Sequence, residues 1–204
     1  MTSPAIALAL SYLSGSLPFA AIAGKARGVD LRKHGSGNLG ATNVFRVLGW
    51  KIGLLVFLLD AAKGAVPVLL LPRFIESPRD PVVWAIACGI AAIAGHVRPI
   101  FLKLRRGGKG VATAAGVFFA LAPIPMAITF AVFVGVVFAT GYVSLGSLIC
   151  ALLLPGLLLV TQGARSPLFI VSVVVALFVF WTHRANIGRL RRGEEHRFGK
   201  RGRA

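Results

Sequence analysis

The sequence predicts an all-α, polytopic membrane helix bundle of about seven transmembrane helices. Three observations carry that expectation. Of the 204 residues, 56% are hydrophobic and only 14% charged, too apolar a balance for an ordinary soluble domain. The apolar residues fall in runs about as long as the 17–25 residues a helix needs to cross a bilayer. The basic residues gather between alternate runs, as a chain threaded through a membrane requires.

The first run covers residues 4–24, the second 51–71 and the third 82–102. The apolar region 111–141 is too long for one span and carries Pro123 and Pro125 near its middle. Two prolines that close remove donors and clash with the preceding turn, so two shorter helices joined by a tight turn are expected. Residues 145–161 and 168–181 supply the sixth and seventh spans. Five spans result if some segments only half enter the bilayer. Neither a fixed-period repeat nor a low-complexity linker interrupts the chain, so it reads as a single domain, 1–204.

Seven spans place the loops 25–51 and 98–109 and the tail from Arg184 on one side. These hold 6, 5 and 8 Lys or Arg residues, 19 of the 23. Arg73, Arg79 and Arg165 fall on the other side, and Lys63 falls inside a span. The positive-inside rule then puts the N-terminus outside and the C-terminus in the cytoplasm. Ala21-Ile22-Ala23 imitates a signal-peptidase site. The basic residues follow the apolar run rather than precede it, however, so an uncleaved first span is expected.

The net charge of +17, including the tail from Arg189 to Arg203, suits anionic lipid headgroups at the inner leaflet. Aromatic residues do not interleave with the basic ones, so no nucleic-acid partner is expected. Nor does any feature call for an obligate protein partner. Cys88 and Cys150 lie within spans as small apolar residues, and no Cys or His spacing suggests a metal site.

Three polar cassettes share the cytoplasmic side. The first runs from Gly35 through Ser36, Gly37, Asn38, Gly40, Thr42 and Asn43 to Arg46. Its glycines let backbone approach a ligand, its neutral side chains offer hydrogen bonds, and Arg46 supplies a planar fork for an anion. The second opens with His96 and Pro99, which should end the third span, and continues through Lys103, Arg105 and Arg106 to Gly107, Gly108, Lys109, Gly110 and Thr113. Backbone N–H groups at a helix N-terminus, cleared of side-chain bulk and backed by a lysine, form a phosphate socket. It is not a Walker A loop, because Gly110 follows Lys109 and Lys103 stands where the leading glycine belongs. The third is Trp181 to Arg189, in which His183 and Asn186 share a helical face with Arg184 and Arg189 nearby.

Asp60 and Lys63 fall on one face near the middle of the second span, where a lone charge costs about 2.5–3.5 kcal/mol. They either neutralise one another or border a polar cavity reaching in from the cassettes. The turn 142–147 adds Ser144 and Ser147 on the same side. The six acids are Asp30, Asp60, Glu76, Asp80, Glu194 and Glu195, and none of the cassettes contains a carboxylate pair, a Ser-His-Asp triad or a carboxylate-backed histidine. A basic, donor-rich basin beside an apolar slot suits transfer of an activated group between phosphate-bearing substrates, by positioning and charge stabilisation. A transporter of a phosphate ester is the alternative. Its expected related halves and midplane polar residues fit poorly, since only Asp60 and Lys63 reach inward.

Ser14-Gly15-Ser16-Leu17-Pro18, the Gly35–Arg46 run, the Gly107–Thr113 loop and His183-Arg184-Ala185-Asn186-Ile187 together resemble the bacterial membrane acyl-phosphate:glycerol-3-phosphate acyltransferase family (PlsY). The likeness runs in order through nearly the whole chain. It implies acyl transfer from acyl phosphate to the 1-hydroxyl of sn-glycerol 3-phosphate, giving lysophosphatidic acid and inorganic phosphate. Acyl-CoA and acyl carrier protein would not be direct donors, no cofactor is implied, and the site would face the cytoplasm from the bacterial inner membrane. Ser36, Arg46, His96, Lys109, His183 and Asn186 match residues of the catalytic machinery. Gly35, Gly37, Asn38, Thr42, Asn43, Lys63, Gly107, Gly108, Gly110 and Thr113 are assigned to substrate binding. Because no cassette backs a histidine with a carboxylate, a substrate phosphate oxygen is expected to take the hydroxyl proton; His183 or His96 as general base is the competing version.

Overall fold

The computed structural model describes residues 3–75 and 80–198, all helices, turns and loops, arranged as two compact units, residues 1–122 and 123–204. Arg79 of the outer charge count and residues 199–204 of the basic tail lie outside the described residues.

In the first unit, α1 (Pro4–Gly15) starts on a Ser3 cap and stops before Pro18. The residue ahead of a proline is pushed out of the helical region, so the chain turns and restarts as α2 (Phe19–Ala26). The first expected span is therefore two helices, together a 23-residue apolar segment Pro4–Ala26. A loop leads to α3 (Ala41–Leu48), which ends at Gly49, whose φ of 89° suits glycine alone. Next come α4 (Trp50–Leu70), a 3₁₀ turn (Leu71–Phe74) and α5 (Pro81–Val97). The Asp80 carboxylate caps α5 by accepting from Val82 and Val83 N–H. Pro99 ends that helix as expected, and a second 3₁₀ turn (Ile100–Leu102) leads towards α6 (Val111–Leu121).

Small residues govern the packing of this unit. α1 lies against α5 and α4 against α6, and in each pair backbones touch. A Cβ on Gly15 would strike the Ala92 backbone, one on Gly95 the Tyr12 carbonyl, one on Gly64 the Thr113 carbonyl and one on Gly116 the Ala61 carbonyl. In lipid, where apolar area drives little association, such close approach and its dispersion contacts hold helices together. A separate apolar cluster of Ala20, Leu31, Leu39, Val44 and Val56 fixes the α2–α3 loop onto α4.

The second unit contains α7 (Pro123–Thr140), α8 (Val143–Gln162), α9 (Pro167–Thr182) and α10 (Arg184–Arg191). The helix break expected at the two prolines falls at Ala122. Pro123 and Pro125 then occupy the first turn of α7, where a missing N–H removes no hydrogen bond. The two-residue link between α7 and α8 makes them antiparallel neighbours, and α8 packs on α9 in turn. Ser166 caps α9 by accepting from Leu168 N–H. α10 leaves α9 at a 59° bend centred on His183.

Among the described residues, five helical segments are long and apolar enough to cross a membrane, or six if the bent α9–α10 pair counts as one. The eleven residues of α6 rise only about 16 Å, near half of the hydrocarbon thickness. Large apolar side chains such as Phe138 and Val160 are fully outward, as lipid contact requires.

Gly116→Ala should force α4 and α6 apart and lower stability by about 1–3 kcal/mol. Gly135→Ala, with nothing near its added methyl, should instead be neutral or stabilising by up to about 1 kcal/mol. Thermal unfolding of the two purified variants in detergent checks the contrast.

Candidate active site

The first cassette is held open by one buried side chain. Asn43, in the first turn of α3, accepts the Ser36 N–H on Oδ1 at 2.8 Å and donates from Nδ2 to the Leu31 and His34 carbonyls, each at 3.1 Å. Its amide is thus engaged by the loop itself, which makes Asn43 a clamp for the cassette. Gly35 (φ 59°) and Gly37 (φ 68°) take the left-handed conformation that the turn needs. A Cβ on Gly35 would also collide with Asn43 Oδ1. The clamp leaves the Ser36 side chain exposed, with Asn38 half-buried beside Gly40. Thr42 and Arg46, four residues apart on α3, lie on one face and are both half-buried.

The second cassette meets the first at Gly108. A Cβ there would strike His96 Nε2 and come within 2.8 Å of the Leu39 carbonyl. A Cβ on Gly107 would strike the His96 carbonyl. The Gly107 N–H donates to the Val97 carbonyl at 3.0 Å, closing the 97–107 loop, and the Tyr12 hydroxyl donates to the Arg98 carbonyl at 2.6 Å. Gly110 (φ 82°) caps the start of α6, with Lys109 half-buried before it. Thr113, in the first turn, is fully buried, and its Oγ1 has no hydrogen-bond partner among the described residues. The positive end of the α6 dipole therefore sits where the sequence placed its anion socket.

Beneath this turn lie the two charges of the second span. Lys63 Nζ is 2.7 Å from Asp60 Oδ1 and donates to the Leu17 carbonyl at 2.7 Å, satisfying the carbonyl freed where Pro18 breaks the first span. The Phe19 ring lies 5.4 Å from the ammonium, and Ser14 Oγ donates to the Lys63 carbonyl. Asp60 Oδ1 stands 3.7 Å from His96 Nδ1. Sequence reasoning set no carboxylate beside a cassette histidine; this one stands near the ring but beyond direct hydrogen-bond distance. It was hidden because it comes from α4, 36 positions away in the chain. A narrow, mostly apolar cavity is lined by Asp60, Lys63, His96, Leu17, Gly107 and Gly108 among others, so these charges both pair and border open space.

In the second unit, His183 Nδ1 is 2.8 Å from the Val179 carbonyl. A carbonyl only accepts, so Nδ1 carries a proton. Asn186 Nδ2 donates to Glu195 Oε1 at 2.7 Å, joined by Ser144 Oγ at 3.0 Å, while Arg189 Nε donates to Oε2 at 2.7 Å. Arg184 turns away, stacking over Trp181 at 5.0 Å and donating to its carbonyl. Sequence reasoning missed Glu195. The only hint was an acid pair, Glu194-Glu195, inside a basic tail. Burial raises the Glu195 carboxyl, but hydrogen bonds from Asn186, Arg189 and Ser144 and the charge of Arg189 outweigh it, holding the group below the usual carboxylate range.

A family model described as Glycerol-3-phosphate acyltransferase matches residues 5–193. The chain belongs to the glycerol-3-phosphate acyltransferase family. The glycerol-3-phosphate acyltransferase of Geobacter sulfurreducens is 45% identical over 199 residues, covering 97% of this chain and 99% of that one. That of Myxococcus xanthus is 46% identical over 190 residues, covering 93% and 96%. The crystal structure of PlsY (YgiH), an integral membrane glycerol 3-phosphate acyltransferase, in its glycerol 3-phosphate form superposes with a TM-score of 0.87 at 39% identity, covering 96% of each chain. Its lysophosphatidic acid form gives 0.84 at 38%, covering 96% and 95%.

Because Glu195 titrates lower when folded, its stabilisation is present above the ordinary carboxylate range and is lost as pH falls through the folded value. Glu195→Gln should therefore lower the thermal midpoint at neutral pH, and the gap from wild type should close on acidification. Unfolding followed from pH 7 downwards measures it.

Proposed function

We propose that the chain transfers a fatty acyl group from acyl phosphate to the 1-hydroxyl of sn-glycerol 3-phosphate. The new C–O ester bond forms as the acyl C–O bond to phosphate breaks, releasing lysophosphatidic acid and inorganic phosphate, the first acylation of phospholipid synthesis. The observation that carries this reading is the convergence of the Gly35–Arg46 loop and the Gly107–Thr113 loop at Gly108, at the start of α6. The glycerol 3-phosphate and lysophosphatidic acid named for the two forms of the solved relative support it.

Gly107, Gly108, Lys109, Gly110 and Thr113 hold the donor phosphate by backbone N–H, ammonium and hydroxyl. Ser36 and Arg46 act on the acceptor side with Asn38 and Thr42 shaping the loop, while Gly35, Gly37 and Asn43 set its form. Lys63 supports the site from beneath through Leu17. His183 and Asn186 take the roles the family pattern gives them, with Glu195 setting the Asn186 amide. An acyl phosphate is a mixed anhydride with a good leaving group, so a substrate phosphate oxygen suffices to take the hydroxyl proton. The enzyme lies in the bacterial plasma membrane as seven helical segments, N-terminus outside, C-terminus and site facing the cytoplasm, and works as one catalytic domain. It needs no cofactor and no protein partner.

Purified protein given palmitoyl phosphate and labelled glycerol 3-phosphate should form labelled lysophosphatidic acid, and palmitoyl-CoA should not replace the donor. Vesicle uptake of label without new product would favour a transporter instead. Arg46→Met and Lys109→Met should each cost about 10²–10³ in turnover. His183→Gln and His96→Gln should keep kcat within about tenfold; a general base at either position would show as a loss of about 10²–10⁴ confined to that variant, with binding kept.

A further inference from the structure

We propose that Asp60 is a positioning residue for acyl transfer, acting through His96 on the Gly107–Gly108 turn that holds the donor phosphate. The inference rests on the proposed acyl-phosphate reading of that turn.

Asp60 is 1% exposed, Lys63 5% and His96 6%, so three ionisable groups share one buried spot. Stability alone does not call for them. An apolar replacement of a buried ion pair is often neutral or stabilising, and charge at membrane depth marks function more often than structure. Neutralising Lys63 needs a carboxylate but no histidine. Yet His96 Nδ1 sits 3.7 Å from Asp60 Oδ1, buried and without a hydrogen-bond partner among the described residues. That gap exceeds a direct hydrogen bond and fits a short ring movement or a bridging water. The cavity beside it, ≈ 10 Å³, has room for about one water.

The other edge of the ring explains what is being positioned. Nε2 abuts Gly108, and the His96 carbonyl abuts Gly107, so the residue touches the turn at both its ring and its backbone. The Leu39 carbonyl abuts Gly108 as well. Rotating the imidazole would move Gly108 and with it the amides leading to Lys109 and Gly110. Asp60 holds the Nδ1 side, Lys63 holds Asp60, and Leu17 holds Lys63, so the turn is tied to the break in the first span.

Asp60→Asn, His96→Gln and the double variant of the full chain, purified in detergent, test this with palmitoyl phosphate and glycerol 3-phosphate. Each single change should raise KM for palmitoyl phosphate by about tenfold while kcat and KM for glycerol 3-phosphate stay within about twofold. The double variant should be no worse than the worse single one, as expected for residues acting in series. Independent multiplication of the two effects, equal rises in both KM values, or a fall in kcat alone would overturn the proposal. Should Asp60→Asn fail to fold with Lys63 left uncompensated, Asp60→Glu keeps the charge and displaces the carboxylate. Its KM for palmitoyl phosphate should still rise, and wild-type kinetics would reduce Asp60 to a counter-ion. Absence of lysophosphatidic acid from the wild-type protein would instead remove the acyl-phosphate reading itself.

Discussion

Backbone-to-backbone contact between helices is the constraint from which the first unit follows. Gly15 and Gly95 bring α1 onto α5, and Gly64 and Gly116 bring α4 onto α6, at separations where no β-carbon fits. These contacts fix the depth of three other positions. Asp60 lies one residue from Ala61, whose carbonyl faces Gly116, and Lys63 one residue from Gly64. His96 follows Gly95 directly. The glycines that lock the helices thus also bring the carboxylate, the ammonium and the imidazole to one level, beneath the start of α6. Larger residues at the crossings would separate the helices and the charges together.

Helical character and the approximate limits of the apolar segments were legible because hydropathy and proline act locally. The break before α7 follows from Pro123, and the end of α5 from Pro99. Two features were not legible in the same way. The first apolar run looked continuous, since Ser16, Leu17 and Pro18 barely lower its hydropathy, yet it is two helices. The break is tolerated because a lysine on α4 meets the freed Leu17 carbonyl, a pairing that spans 46 positions. The short α6 also reads as apolar enough to be a span and fails only on length.

The site was legible to the same extent. The two glycine loops of the first unit announce themselves by composition, and the structure brings them together at Gly108. Individual roles were harder to read, because a side chain's partner decides whether it is available to a ligand. Asn43 looks like a ligand-binding amide, but its oxygen and nitrogen are both engaged by the loop. Lys63 looks like an anion binder, but its ammonium meets Asp60 and Leu17. Asn186 points its amide nitrogen at Glu195, an acid nine residues further on that also accepts from Ser144.

These engaged groups are not a retreat from function. Transfer from a mixed anhydride needs little from a base and much from geometry, since the leaving phosphate is good and the acceptor hydroxyl must reach the face of the acyl carbonyl. Donors fixed in advance stabilise developing charge without having to reorganise during the reaction. A membrane protein makes such fixing expensive, because every unpaired polar group inside the bilayer raises its energy. Asn43 makes the first loop rigid, and Glu195 sets the Asn186 amide. The Asp60–Lys63–His96 group beneath the Gly107–Gly108 turn belongs with them: at membrane depth, polar side chains set against one another provide rigidity that packing alone cannot direct at a single glycine.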